Sequence, residues 1–189
     1  MKMEFDTIVY LSWLALFLVW LPGWLAGKRV SNAPTVLWQI SLWVLIIISF
    51  ILLLHPRMNG LNVAITPQNL ALDIAGLALL LAGVIFAIWA RFKLGSNWAG
   101  IIVGTREGQE LVQTGPYAIV RHPIYAGILI AMIGTALTTG RLASYIGVAL
   151  ALVAFMIRVN IEEKLMSEQF DKNHKAYRQR TKKLIPFVW

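Results

Sequence analysis

Cysteine is absent from the 189-residue chain. That excludes disulfides, thiolate catalysis and cysteine-based metal sites. Histidine is almost absent: His55, His122 and His174 lie far apart in sequence, and no metal site is expected from so sparse a set. Acidic residues number only 9 against 17 Lys and Arg, a net charge of +8. No strand–GxGxxG–helix unit is present, so no nucleotide is held in the doubly wound manner. Repeats, low-complexity tracts and disordered linkers are missing as well. The basic residues do not alternate with aromatic ones as in nucleic-acid binders. Much of the positive charge lies beside apolar runs, which points to anionic lipid headgroups and excludes a nucleic-acid partner.

What the chain has in abundance is apolar sequence. It is 58% hydrophobic, with a mean hydropathy of +0.68, against about 45–50% apolar residues in soluble domains. The expected fold is all-α and integral to a membrane: one domain over residues 1–189, multi-pass, in the cell membrane if the source is prokaryotic. Five transmembrane helices account for the runs, at about 7–26, 36–54, 70–92, 124–139 and 143–158. The first three approach the ~20 residues needed to cross the hydrocarbon core. The last two are shorter and joined only by Gly140-Arg141-Leu142, which predicts a tight, slightly recessed hairpin. Small residues at Gly76, Ala82, Gly83, Gly127, Ala131 and Gly134 would permit close helix contact. Ahead of the first run, Lys2 is accompanied by Glu4 and Asp6, and Trp24 spoils a cleavage site before Ala26, so this run reads as a retained helix.

Charge asymmetry sets the expected orientation. Five crossings put Lys28, Arg29, Arg91, Lys93, Arg106, Arg121 and the eight basic residues from Arg158 onward on one side, 14 in all. Lys2, Arg57 and Arg141 fall on the other. The basic side is expected to be cytoplasmic, with the N-terminus outside and the C-terminus inside.

Two polar segments then share the cytoplasmic face. One is the long 93–123 connection, expected to be a functional loop. It ends in QELVQTGPYAIVRHPIYAG (109–127), where Gly115-Pro116 signals a turn and Pro123 suits a first helical position. Arg121 and His122, flanked by Tyr117 and Tyr125, are thereby placed at the mouth of a helix. The other begins at Arg158, where Leu165, Met166, Phe170 and Tyr177 at helical spacings predict an amphipathic continuation of the fifth helix. Arg158 and Glu162 are four apart and share a helix face, beside Glu163. In isolation the pair reads as a surface ion pair of a few tenths of a kcal/mol. Its place at the end of an apolar run makes it a functional candidate instead.

GPYAIVRHPIYAG (115–127), then RVNIEEKLMSEQF (158–170), Tyr177, Thr181 and Pro186, resembles the isoprenylcysteine carboxyl methyltransferase family, part of a membrane superfamily that includes phospholipid methyltransferases. The likeness spans about residues 95–187, the expected catalytic region. It implies S-adenosyl-L-methionine as cofactor, held by Gln109, Glu110, Leu111, Val112, Tyr117, His122, Pro123, Ile124, Tyr125, Glu162 and Glu163. It implies Arg158 and Glu162 as catalytic residues, with Arg158 facing the acceptor carboxylate. The implied partner is a lipophilic or prenylated substrate beside membrane lipids, and the implied reaction is carboxyl O-methylation. A phospholipid amine, a small thiol, or an NADPH-dependent reduction on the same scaffold are the alternatives. The family commonly has Gly and Tyr where this chain has Asp171 and His174. Both read as tail substitutions with little effect on the site, His174 as a solvated residue among Lys172, Lys175 and Arg178.

Overall fold

A computed structural model describes residues 2–25, 34–58, 60–98, 104 and 108–186. The expected first-helix end at Ala26, the basic residues Lys28, Arg29 and Arg106, and Phe187 lie outside the described residues. Among the described residues six α-helices follow in order: α1 (Lys2–Leu25), α2 (Val36–Leu54), α3 (Leu70–Leu94), α4 (Pro116–Ile119), α5 (Pro123–Thr139) and α6 (Leu142–Arg180). Among the described residues there is no strand, only two isolated bridges. Four helical stretches, in α1, α2, α3 and α6, are long and apolar enough to cross a membrane, and α5 is a shorter apolar helix.

Local sequence explains the boundaries. Asn69 caps α3, its side chain accepting from Leu72 N at 2.9 Å. Pro123 opens α5, where the missing N–H costs nothing. Gly140 ends α5 in the left-handed region at φ 65°, and a Cβ there would collide with the Gln68 side chain. The turn after it is pinned to the connection preceding α3: Ile65 N donates to Gly140 O and Leu142 N to Val63 O, each at 2.8 Å.

α3 and α5 form the tightest seam. Built onto Gly83, a Cβ would lie 2.4 Å from Ala131 N; on Gly134 it would lie 2.4 Å from Gly76 O. Only glycine lets the two backbones approach this closely, which is the role of small residues at membrane helix contacts. α2 packs against α6, where Gly147 faces the Ser49 carbonyl, while α1 packs against α3. α1 and α2 meet mainly near one end of the bundle, where Tyr10 OH donates to Leu54 O at 3.0 Å and Trp13 sits edge-on to Phe50 at 5.0 Å. Between them lies a cavity.

α6 carries the expected 143–158 arm onward without a gap to Arg180. It is 39 residues long and breaks at Asp171, whose φ of 36° and ψ of −108° are non-helical. Asp171 is the one non-glycine residue with positive φ among the described residues. The inward face nevertheless runs on across the break: Val159 and Glu163 before it and His174 and Tyr177 after it are buried at one continuing helical spacing.

Candidate functional site

The site is built where the ends of α3, α5 and α6 meet the segments 108–122 and 181–184. Gly115 at φ 64° starts the one-turn α4, which buries Pro116 and Tyr117. Val120 then runs extended and bridges to Lys182 in parallel. Arg121 N donates to Lys182 O at 2.8 Å and His122 N to Lys183 O at 3.0 Å. Two chain segments some sixty residues apart are thus laced together just before Pro123 turns the chain into α5.

Arg121 is the centre of this lacing. Its guanidinium meets Glu163 in two-point fashion, Nε to Oε1 at 2.8 Å and Nη2 to Oε2 at 2.9 Å. Its Nη1 donates to the carbonyl of Thr181. Arg121 is 9% exposed and Glu163 7%, so the pair is withdrawn from water and strengthened by that environment. His122 lies against the same carboxylate, Nε2 to Glu163 Oε1 at 3.0 Å, with Nδ1 3.4 Å from Glu162 Oε2. Burial by itself would lower the imidazole's pKa, but the two carboxylates outweigh it and raise the pKa above the ordinary value. Burial likewise pushes the Tyr117 phenol up, and its carbonyl accepts from Tyr177 OH.

A second cluster continues toward the apolar interior. Tyr125 OH donates to Glu162 Oε1 at 2.6 Å and accepts from Arg158 Nε at 2.7 Å. Arg158 Nε also lies 3.2 Å from Glu162 Oε1. The Tyr125 ring is stacked between His122, with centroids 6.0 Å apart, and Phe155 at 4.9 Å. Trp43 of α2 lies 5.3 Å from the Arg158 guanidinium carbon, within cation–π range. Arg158 is 5% exposed.

Both clusters border one cavity of about 930 Å³. Its polar end is lined by Asn97, Trp98, the 109–112 segment, Tyr117, His122 and Glu162. Its apolar end runs between α1 and α2 past Leu16, Trp20, Ile46 and Phe50. Arg158 and Tyr125 stand at the junction. At the polar end Glu110 N donates to Asn97 Oδ1 at 2.8 Å, and Arg91 lies over Trp98 at 4.3 Å.

Of the residues singled out in the sequence, Gln109, Glu110, Leu111, Val112, Tyr117, His122, Ile124, Tyr125, Arg158, Glu162 and Glu163 all line this cavity. Pro123 is buried at the α5 start and is not among its lining residues. The reading of His174 as solvated is overturned. It is 2% exposed, its Nδ1 lies 3.0 Å from Ser167 Oγ and its Nε2 3.8 Å from Glu163 Oε1. His174 lies three helical turns beyond Glu163 on the same face, while Lys172, Lys175 and Arg178 are exposed, so this departure from the family pattern is not remote from the site. Arg121 stood in the motif without an assigned role; its partner is 42 residues away and no local spacing announces it. Trp43 and Trp98 lie outside the motif altogether. Among the described residues no group of acidic, histidine or cysteine side chains could hold a metal ion.

Comparison with known proteins agrees with the site's composition. The chain is 31% identical over 115 residues to protein-S-isoprenylcysteine O-methyltransferase B of Arabidopsis thaliana, covering 60% of this chain and 58% of that protein. It is 31% identical over 111 residues to the nickel-cobalt-cadmium resistance protein NccN of Alcaligenes xylosoxydans xylosoxydans, covering 58% of this chain and 50% of that one. A probable protein-S-isoprenylcysteine O-methyltransferase of Oryza sativa subsp. indica is 25% identical over 164 residues, 86% of this chain and 84% of that protein. The chain thus spans little more than half the length of the first two relatives. The phospholipid methyltransferase family model matches residues 72–173, more than half of the chain and both halves of the motif. The chain therefore belongs to the phospholipid methyltransferase family, in the membrane superfamily that also holds the isoprenylcysteine carboxyl methyltransferases its motif resembles.

Proposed function

We propose that this chain is a single-domain membrane methyltransferase that uses S-adenosyl-L-methionine to methylate the carboxylate of a lipophilic, isoprenylcysteine-like acceptor. One observation carries the reading: a single cavity joins a polar end of carboxylate and aromatic groups to an apolar end between two membrane helices, with Arg158 at the junction. The polar end suits the methyl donor. Glu162 answers its amino or ribose groups, the 109–112 backbone offers further polar contacts, and the Tyr117 and Tyr125 rings favour a cation. When bound, S-adenosylmethionine supplies an electrophilic methyl group on a sulfonium sulfur. An acceptor carboxylate is ionised at neutral pH, its pKa being about 4, so no general base is required. This fits a site without a Ser, Cys or His nucleophile.

The chain's residues position, and they exclude water. Arg158 orients the acceptor carboxylate, and Tyr125 and Glu162 hold that guanidinium at the junction. Phe155 and Trp43 close off the surrounding space. Glu163, engaged by Arg121 and His122, acts through them as an anchor for the polar end. The polar end faces the cytoplasm, with the N-terminus outside and the C-terminus inside, because 14 of 17 basic residues fall on that side. The acceptor then arrives sideways from the bilayer while the donor arrives from the cytoplasm. A phospholipid amine is the second reading, supported by the family model, and its ammonium would be met by Glu162.

Two substitutions test the first reading. Arg158→Lys keeps the charge but loses the planar fork, and should lower kcat/KM for a farnesylcysteine analogue at least tenfold, about 1.4 kcal/mol, with S-adenosylhomocysteine affinity unchanged. Glu162→Gln should do the reverse and weaken S-adenosylhomocysteine binding in calorimetry. Full activity of Arg158→Lys on a carboxylate acceptor would overturn the assignment.

A further inference from the structure

A second cavity, of about 360 Å³, lies at the opposite end of the bundle from the candidate site. α5 runs from Pro123 at that site to Thr139 at this cavity, a rise of about 25 Å at 1.5 Å per residue. Polar and charged side chains reach the cavity from three parts of the chain. Asp6 and Tyr10 come from α1, His55 and Arg57 from just past the end of α2, and Arg141 from the turn between α5 and α6. By the charge count, only Lys2, Arg57 and Arg141 fall at this end of the bundle. Two of those three converge on one cavity.

The charges gathered there do not neutralise one another. Asp6 is half-buried, yet among the described residues no ion pair joins it to Arg57 or Arg141. Arg141 Nη1 reaches only the Asn62 carbonyl, at 3.4 Å. The volume is an order of magnitude above the ~30 Å³ a water occupies and falls in the range of small-molecule sites. Part of the wall is apolar: Val9, Leu53, Leu54 and Met58 border the same space. Leu54 and His55 also border the apolar end of the larger cavity, which opens between α1 and α2. A ligand here therefore meets two guanidiniums and an imidazole, one carboxylate, and then hydrocarbon. A phosphodiester suits the guanidiniums, through charge-assisted hydrogen bonds. An ammonium suits Asp6, and an acyl chain suits the apolar wall. Those three properties belong together in a zwitterionic phospholipid.

We propose that the second cavity binds the headgroup of a zwitterionic bilayer phospholipid, its phosphate toward Arg57 and Arg141 and its ammonium toward Asp6. An acyl chain then lies along the gap between α1 and α2. The bound lipid reinforces the hydrogen bonds that tie α1 to its neighbours, Tyr10 OH to Leu54 O at 3.0 Å and Trp13 Nε1 to Thr135 Oγ1 at 3.1 Å. It is not the methyl acceptor, because Arg158 and Glu162 border only the larger cavity. The site stands or falls independently of the methyltransferase reading.

The test uses full-length protein stripped of lipid in dodecyl maltoside. Binding of palmitoyl-oleoyl phosphatidylethanolamine, the matching phosphatidylglycerol and free phosphoethanolamine is measured by native mass spectrometry, with thermal midpoints in parallel. Wild type should bind the ethanolamine lipid about fivefold more tightly than the glycerol lipid, the worth of one partly exposed charge pair, and gain the larger rise in midpoint from it. Asp6→Asn should bring the two lipids to within about twofold of each other. Arg57→Gln combined with Arg141→Gln should weaken both by about tenfold. Should the double variant not fold, the two single variants carry that arm with smaller losses. Equal affinity of wild type for the two lipids overturns the zwitterionic assignment. Affinity unchanged by loss of both guanidiniums overturns the site. Free phosphoethanolamine that binds as tightly as the lipid overturns the membrane source and assigns the cavity to a soluble phosphate compound.

Discussion

Two pairs of helices in this bundle are built on opposite terms. α3 and α5 touch backbone to backbone through Gly76, Gly83, Gly127 and Gly134, leaving no space for even a methyl group. α1 and α2 touch through Trp13, Phe50, Tyr10 and Leu54 and are otherwise parted by the cavity. The first pair fixes the start of α5, and with it Arg121, His122 and Tyr125. The second leaves an apolar cavity. A rigid wall on one side and a spacious one on the other let the same small bundle position polar groups tightly beside an apolar space.

The comparison breaks most completely at the ionic anchor that the tight seam supports. Arg121→Ala strands the buried Glu163 carboxylate and uncouples the 181–184 segment. It should cost about 3–5 kcal/mol and collapse donor binding, read as a fall in thermal midpoint and loss of S-adenosylhomocysteine stabilisation. A smaller effect comes from the seam itself. Gly83→Ala forces a Cβ to within 2.4 Å of Ala131 N and 2.5 Å of Gly127 O, for a cost of about 1–3 kcal/mol. Phe17→Ala, on the spacious pair, should change stability by no more than about 0.5 kcal/mol, because Phe17 is 52% exposed at the cavity rim. Equal losses in the two variants, by thermal denaturation in one detergent, would erase the distinction. The smallest effect is a gain. Asp171→Gly relieves a side chain held at φ 36°, and should raise stability by about 1 kcal/mol, a few degrees in midpoint.

That last position shows where the sequence was legible and where it was not. Long apolar runs mark helices plainly: the expected 36–54 is α2 to the residue, and 70–92 falls two residues short of the end of α3. The motif residues around α4 and the start of α5 are announced by Gly115-Pro116 and Pro123, and Arg158 by the close of an apolar run inside α6. Two kinds of information stayed hidden. Pairings across long separations, such as Arg121 with Glu163 or Trp43 with Arg158, leave no local periodicity. A backbone break inside a good helical pattern is hidden too. The family's usual glycine at position 171 is the residue such a break prefers, and with Asp there the signal vanished. His174 reads as solvated because its neighbours are basic, whereas its spacing from Glu163 puts it on the buried face and them on the exposed one.

The parallel bridge between Val120 and Lys182 has a consequence for biosynthesis. Helices of a membrane protein can insert one after another as the ribosome delivers them, and α3 and α5 can pair as soon as both are present. The polar end of the cavity cannot follow that schedule. Arg121 and His122 take backbone partners from residues 181–183, so they remain unsupported until that stretch has been translated. At roughly 5–20 residues per second, the sixty-residue gap between the two segments lasts several seconds. During that interval the earlier helices are in the bilayer while the polar end of the cavity is still incomplete.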